Sequence, residues 1–140
     1  TMASKQVLSI EQMKHLQELG LDTSNATLTW ILYPASIRGD VIPTLKMWRW
    51  EQIKDEQKKV CVPAFTLQDI LDKLPHYLKP MISEKILYAW VLERNTIAYR
   101  NVEDVNDCLK LFIDNTLIDA AYEMLCWCIE NGYIKELKNK

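Results

Sequence analysis

The residues best suited to bind another molecule lie in one stretch, Lys46–Lys59, where aromatic and basic side chains are mixed. Trp48 and Trp50 flank Arg49, and three lysines follow, namely Lys54, Lys58 and Lys59. Aromatic rings with interleaved cations hold single-stranded nucleic acid by base stacking and phosphate contacts. Three acidic residues interrupt the stretch, and strand alternation places both Trp rings on one face. We therefore expect the two rings to pack in the core, with a binding surface as the alternative.

The residue types and their spacing give little indication of a metal site or of a catalytic nucleophile. His15 and His76 are the only histidines, and no Cys-x2-Cys or His-x3-His pair occurs. The cysteines lie in apolar segments, which predicts buried, reduced thiols at Cys61, Cys108, Cys126 and Cys128. We predict no catalytic, cofactor-binding or metal-binding residue, and we expect the chain not to be an enzyme. His76, which follows a proline, is kept as a possible member of a binding surface.

Two carboxylate pairs also have structural explanations. Asp69 and Asp72 lie on a predicted helix, and Asp69 lies three residues after Thr66, a spacing typical of a helix cap. Asp104 and Asp107 flank a short segment before a predicted strand, where Asp favours turn geometry. We predict structural roles for both sets.

Three helices position these residues. The first two begin at Ser9 and Thr66, and the third begins near Asn115 or Thr116. Gln or Asp follows three residues after Ser9, Thr66 and Thr116. Glycines are expected to end the first helix at Gly20 and the last at Gly132. The last helix is apolar over most of its surface, which predicts the central helix of the core.

Strand-like runs fill the rest of the chain. They are Ala26–Tyr33, Leu45–Ile53, Val60–Val62, Ile86–Glu93, Thr96–Val102 and Cys108–Ile113, with a loop over Pro34–Pro43. Short connections predict antiparallel pairing. We predict a single α+β domain over residues 9–134, with one twisted, mostly antiparallel sheet packed on one face by about three helices. We expect residues 1–8 to be an N-terminal tail, with Thr1 added for expression. We expect residues 135–140 to be a charged C-terminal tail.

The composition and charge of the chain weigh against two further classes, nucleic-acid-binding proteins and membrane proteins. The 140 residues carry 17 basic and 19 acidic side chains, a net charge of −2, which weighs against sequence-independent phosphate binding. No run approaches the roughly 18 apolar residues of a transmembrane helix, and no signal peptide is recognisable. We expect a cytoplasmic protein without a membrane partner.

Three blocks of the chain carry a resemblance. Leu8–Asp22, Pro63–Pro75 and Ala120–Tyr133 together are similar to small uncharacterised proteins encoded by phages, prophages and conjugative elements of gut Bacteroidetes. The blocks are helices with their caps, so the resemblance implies a common fold and no activity, cofactor or catalytic residue. It also implies an accessory gene of a mobile element in a bacterial cytoplasm.

Two functional hypotheses follow. The first is a non-enzymatic module that binds a protein partner, because the chain has more aromatic residues than three helices and a small sheet require. The second is a nucleic-acid-associated accessory protein that uses the stretch Lys46–Lys59. Exposure of the two tryptophans separates these hypotheses.

Overall fold

The computed structural model describes residues 5–34, 39, 41–80 and 85–134. The helices are α1 (Ile10–Glu18), α2 (Asp55–Lys58), α3 (Leu67–Lys73) and α4 (Leu117–Glu130), with a 3-10 turn at Trp50–Gln52. The strands are β1 (Leu28–Pro34), β2 (Val41–Lys46), β3 (Cys61–Ala64), β4 (Tyr77–Leu78), β5 (Tyr88–Glu93), β6 (Thr96–Asn101) and β7 (Cys108–Ile113). All strand pairs are antiparallel. The predicted α+β fold class is confirmed.

The strands form two sheets where the sequence predicted one. One sheet has the order β2-β1-β3 and the other has the order β4-β5-β6-β7. The Cα positions likewise fall into two compact units, residues 6–69 in one and residues 70–134 with Lys5 in the other. Each unit thus contains one sheet.

The unit of residues 6–69 is built on α1 and the three-stranded sheet. Ser9 accepts a hydrogen bond from the Gln12 N–H (3.2 Å) while the Gln12 side chain accepts one from the Ser9 N–H (2.9 Å). This is the predicted capping box, and α1 packs against β3. Val7 and Leu8, expected in a tail, are buried, and Leu8 donates its N–H to the Phe65 carbonyl (3.0 Å). The segment joins the core because it pairs beside β3.

Prolines occupy both edges of this sheet. Leu32 donates its N–H to the carbonyl of Val60 (2.8 Å), which lies just before β3. The N–H and C=O groups of Leu32 therefore point toward β3 and away from β2. Its partner Pro43 consequently directs its own backbone groups away from β1, to the outer edge of the sheet. By the same alternation Pro63, which faces Thr29, also points outward. Proline is tolerated at such edge positions, which is why Pro43 lies within β2 rather than in the predicted loop.

The unit of residues 70–134 places α4 against one face of the four-stranded sheet, through β6 and β7. Thr116 caps α4 by accepting the N–H of Asp119 (3.2 Å). At the other end Tyr133 donates its N–H to the Cys128 carbonyl (2.9 Å), with Gly132 at a φ of 76°. This pattern is a Schellman motif, and it confirms the predicted glycine cap.

The edges of the four-stranded sheet are protected differently. β7 carries a register shift opposite Tyr99 and Arg100, which is a β-bulge. Lys110 of β7 points toward α4, with its Nζ 5.9 Å from the Trp127 ring centroid. At the opposite edge β4 has only two residues. Bulges, inward-pointing charges and very short strands all discourage strand addition.

The predicted strand Leu45–Ile53 is wrong beyond Lys46. After β2 the chain runs through an irregular segment into the 3-10 turn and then into α2. Neither short helix was predicted, because elements of three and four residues have too few positions to show a period. Residues 35–38 and 40 of the predicted loop, residues 1–4 of the predicted N-terminal tail and the predicted tail 135–140 lie outside the described residues.

Candidate binding surfaces

The segment Met47–Trp50 is held to β1 by its backbone. Thr29 donates its hydroxyl to the Trp48 carbonyl (2.7 Å), and the Trp50 N–H donates to the Ala26 carbonyl (3.2 Å). These two bonds fix the main chain between β2 and the 3-10 turn. The side chains of Met47 and Trp48 are left exposed to solvent.

The two tryptophans have different environments, although the sequence placed both in the core. Trp48 is 43% exposed, so its assignment to the core is wrong. Trp50 is half-buried, and the Lys58 Nζ lies 5.3 Å from its ring centroid. The prediction fails for Trp48 because the strand ends at Lys46, so strand alternation no longer decides where the ring points.

A shallow cleft of about 330 Å³ lies beside Trp48. Its lining combines apolar side chains with two amides, namely Met47, Trp48, Gln52, Ile53 and Gln57. Ile53 is buried and forms the apolar base of the cleft. The cleft offers an aromatic ring for stacking and amides for hydrogen bonding, but no charged side chain lines it.

The basic residues of the same stretch do not form a continuous cationic track. The Arg49 Nη1 lies 3.9 Å from the Glu51 carboxylate, and the Lys58 Nζ lies 3.7 Å from that of Asp55. Lys54 and Lys59 are exposed. Carboxylates beside two of the cations reduce the local positive potential that attracts phosphates.

His76 lies in the unit of residues 70–134, whereas the stretch Lys46–Lys59 belongs to the other unit. His76 is exposed immediately before β4. The sequence suggested His76 for a binding surface because of its residue type and its position after a proline, and it gave no sign of which residues lie near it.

A second surface lies on the four-stranded sheet, and sequence reasoning missed it. Cross-strand partners share a face, so register groups Val91 with Ala98 and Leu111, and Ile113 with Thr96 and Glu93. The open face is defined by the apolar residues Tyr77, Ala89, Val91, Ala98, Leu111 and Ile113, and by the polar residues Glu93, Thr96 and Arg100. Exposed fractions are 59% for Tyr77, 37% for Val91, 43% for Leu111 and 69% for Ile113.

The opposite face of the same strands is closed by α4. Ile97 and Tyr99 are fully buried, and their β7 partners Phe112 and Lys110 are half-buried. The sequence signal for the open face is the nearly continuous apolar run of β5, Tyr88–Leu92. Such runs are typical of strands covered on both faces. Here α4 covers one face. On the other face Tyr77, Val91, Leu111 and Ile113 are exposed, whereas Ala98 between them is buried.

Polar groups inside the fold are used structurally. The Asp69 carboxylate accepts from the Thr27 hydroxyl (2.7 Å) and from the N–H groups of Thr27 and Thr66 (3.0 Å each). Asp107 accepts from the Tyr88 hydroxyl (2.7 Å) and the Asn101 amide (3.1 Å). The predicted capping role of Asp69 is confirmed.

The thiols lie in apolar surroundings. Cys126 and Cys128 are buried, and burial raises the pKa of Cys126 to about 11 and that of Cys128 to about 12. Cys61 and Cys108 are only half-buried, so the predicted burial is wrong for these two thiols; partial burial still raises the pKa of Cys61. High thiol pKa values suppress the thiolate needed for nucleophilic attack.

Among the described residues, no group of three or more His, Cys, Asp or Glu side chains is arranged to hold a metal ion. Within the same residues no helix has both the length and the apolar character required to cross a bilayer.

Comparisons of the chain with protein-family models, with curated proteins and with solved structures each gave no match. The resemblance to proteins of phages and conjugative elements therefore stays a prediction, as does the cytoplasmic location.

Proposed function

We propose that this chain is a protein-binding module and that the open face is its binding surface. One observation carries the proposal: Tyr77, Val91, Leu111 and Ile113 are exposed on one face of a single sheet. Contiguous exposed apolar groups are a mark of interaction sites in folded proteins.

The composition of the open face supports a protein partner. Its centre consists of Val91 and Leu111 on either side of the buried Ala98, and its charged residues Glu93 and Arg100 lie toward the two ends. An apolar centre with a polar rim is the usual anatomy of a protein interface. Fully burying a Leu, Ile or Val side chain contributes about 1.5–3 kcal/mol, so a few such contacts can sustain a specific complex.

The test is selection from a display library of bacterial genome fragments that includes this chain's own coding sequence. The bait is the full chain, compared with Leu111→Asp on the open face and with Ile42→Asp as a matched control. Ile42 is also exposed but lies on β2, in the other sheet. We expect selected fragments to bind at least about tenfold more weakly to Leu111→Asp and equally well to the control. Fragments that bind both variants equally, or no fragments at all, would overturn the proposal.

The exposure of Trp48 favours a second candidate function, binding of single-stranded nucleic acid through the stretch Lys46–Lys59. Stacking of a base on an exposed ring contributes about 1–3 kcal/mol. Against it stand the net charge of −2 and the carboxylates beside Arg49 and Lys58. We expect no measurable oligonucleotide binding at physiological salt.

Fluorescence anisotropy with labelled oligonucleotides tests this second candidate. The informative variants are Trp48→Ala, which removes the ring, and Trp48→Phe, which keeps a stacking surface. A micromolar Kd with a steep salt dependence, lost in Trp48→Ala and retained in Trp48→Phe, would establish nucleic-acid binding.

A further inference from the structure

We infer that the cleft beside Trp48 binds the uncharged purine base of a nucleoside. In this arrangement the base stacks on the Trp48 ring, and the amides of Gln52 and Gln57 form hydrogen bonds with its edge. The cleft lies in the unit of residues 6–69, whereas the open face belongs to the unit of residues 70–134. The cleft is therefore a site in addition to the proposed protein-binding surface.

The main chain of the cleft is fixed on both sides of the exposed ring. The Trp48 carbonyl accepts the Thr29 hydroxyl (2.7 Å), and the Trp50 N–H donates to the Ala26 carbonyl (3.2 Å). Thr29 is fully buried, and hydrogen bonds shielded from water are stronger than exposed ones. The Ile53 N–H donates to the Trp50 carbonyl (3.2 Å) and closes the 3-10 turn. The backbone of the cleft is thus formed before a ligand arrives, so binding has little main chain to order.

The two neighbouring tryptophans differ in what covers their rings. Trp50 is half-buried, and the Lys58 ammonium lies over its ring. Trp48 is 43% exposed and lines the cleft. An exposed indole face binds a nucleobase by stacking, and stacking requires no charge on either partner.

Two amides supply the polar groups of the cleft. Gln52 lies at the end of the 3-10 turn and Gln57 lies on α2, and both line the cleft. Both side chains are exposed, so their donors and acceptors are open to a ligand. An amide presents a donor and an acceptor together, which allows glutamine to bind the N6 amino group and the N7 atom of adenine at once.

The charges of the cleft favour a ligand without phosphate. Among the described residues that line the cleft, none is charged. The nearby cations lie beside carboxylates, Arg49 beside Glu51 (3.9 Å) and Lys58 beside Asp55 (3.7 Å). A phosphate placed here would lose hydration without gaining an unpaired cation, whereas an uncharged nucleoside has no such cost. The same reasoning agrees with the absence of oligonucleotide binding that we expect.

The size of the cleft fits a bicyclic base and predicts weak binding. Its volume of about 330 Å³ equals that of about eleven waters at roughly 30 Å³ each. Met47, at the margin, is 88% exposed, and a thioether makes favourable contacts with aromatic rings. The cleft is shallow, so one side of the ligand stays in water. We expect a Kd on the order of 0.1–1 mM for adenosine.

Two-dimensional proton–nitrogen NMR of the full chain, titrated with adenosine, tests the site. Adenosine should shift the Trp48 indole N–H signal and the side-chain amide signals of Gln52 and Gln57. The indole signal of Trp127, which is half-buried in the other unit, should stay unchanged. Trp48→Ala should raise the Kd at least about fivefold, and Trp48→Phe should stay within a few-fold of wild type because a stacking surface remains.

Matched variants separate binding from folding. The bond to Thr29 uses the Trp48 main-chain carbonyl, so Trp48→Ala keeps it, and the dispersion of the NMR signals monitors folding. Gln52→Leu and Gln57→Leu should each raise the Kd about threefold or more, because each removes a hydrogen-bonding amide. Two controls outside the cleft, the exposed residues in Gln6→Leu and Ile42→Ala, should leave the Kd unchanged.

Two further probes define the ligand class. Adenosine monophosphate should bind no more tightly than adenosine, and ribose should shift none of the cleft signals. The site is overturned if adenosine, up to its solubility limit, leaves the Trp48 signal unshifted or binds a folded Trp48→Ala variant equally well. Equal binding of ribose would indicate a sugar site, and monophosphate binding at least about tenfold tighter would indicate a phosphate site. Either result overturns the purine-base assignment, and none of these outcomes affects the open face.

Discussion

The two faces of the four-stranded sheet come from the same strands and differ in what covers them. On the closed face Ile97 and Tyr99 are fully buried beneath α4. On the open face Leu111 and Ile113, which belong to β7, are exposed. Both faces carry large apolar side chains, but those of the open face keep more of their surface in water, while Ala98 between them is buried. We propose that the exposed part of the open face serves binding.

The edges of the two sheets differ from the open face, because they carry features that limit association. Prolines interrupt both edges of the three-stranded sheet, and a bulge and the inward-pointing Lys110 interrupt the β7 edge of the other sheet. The sequence thus limits unwanted association where backbone groups are unpaired. The open face has no such device, although Ile113 would tolerate a polar residue as far as folding of the described chain is concerned.

The largest expected difference between the faces concerns leucine truncation. Leu125→Ala on α4 should lower the free energy of unfolding by about 2–5 kcal/mol, because Leu125 is fully buried and its loss leaves a cavity. Leu111→Ala on the open face should cost less than about 1 kcal/mol. Urea denaturation of both variants measures the difference. Equal losses would show that the two faces are not distinct.

Tyrosine hydroxyls give the next largest effect. The Tyr99 hydroxyl donates to the Pro75 carbonyl (2.7 Å), and burial raises its pKa strongly. Tyr99→Phe should cost about 1–2 kcal/mol, since the carbonyl loses a partner in a dry environment. Tyr77→Phe, on the open face, is the matched control and should change the midpoint of thermal unfolding very little. A neutral Tyr99→Phe would remove the distinction at this position.

Introduction of a charge into the open face should have a small effect on the isolated monomer. Ile113→Asp should change the free energy of unfolding by no more than about 0.5 kcal/mol, because the side chain is already largely in water. The measurement is chemical denaturation at low protein concentration. A loss of 2 kcal/mol or more would mean that Ile113 is covered within a single copy.

The smallest expected effect is the change of stability with pH that is caused by Glu123 on α4. Hydrogen bonding to Asp114, followed by burial, raises the pKa of Glu123 from its ordinary value of 4.5 to about 7. The folded state therefore binds the Glu123 proton more tightly than the unfolded state does. The stability that this proton contributes is complete below pH 4.5 and is lost as the pH rises to 7. Glu123→Gln removes this dependence. The variant should melt slightly higher than wild type at pH 8 and equally at pH 4.5; a lower melting temperature at pH 8 would contradict the assignment.

The sequence by itself determined the helix ends. Ser9, Thr66 and Thr116 cap their helices by hydrogen bonds that reach three residues along the chain. Gly132 ends α4 through bonds confined to the last turn. Strands β5, β6 and β7 were also predicted to within two residues at each end, because Arg94–Asn95 and the Asp-rich loop mark their turns. All of these signals act between neighbours in sequence, and a single sequence displays them directly.

Only the tertiary structure decided how the strands are shared between sheets and which apolar residues are covered. The division into β2-β1-β3 and β4-β5-β6-β7 depends on pairs far apart in sequence, such as Trp30 with Val62. The exposure of Trp48 depends on where β2 ends, and that of Ile113 depends on which face α4 covers. Hydrophobic burial is non-directional, so an apolar residue records a preference for cover without specifying what provides it. For the exposed part of the open face we propose that a protein partner provides it.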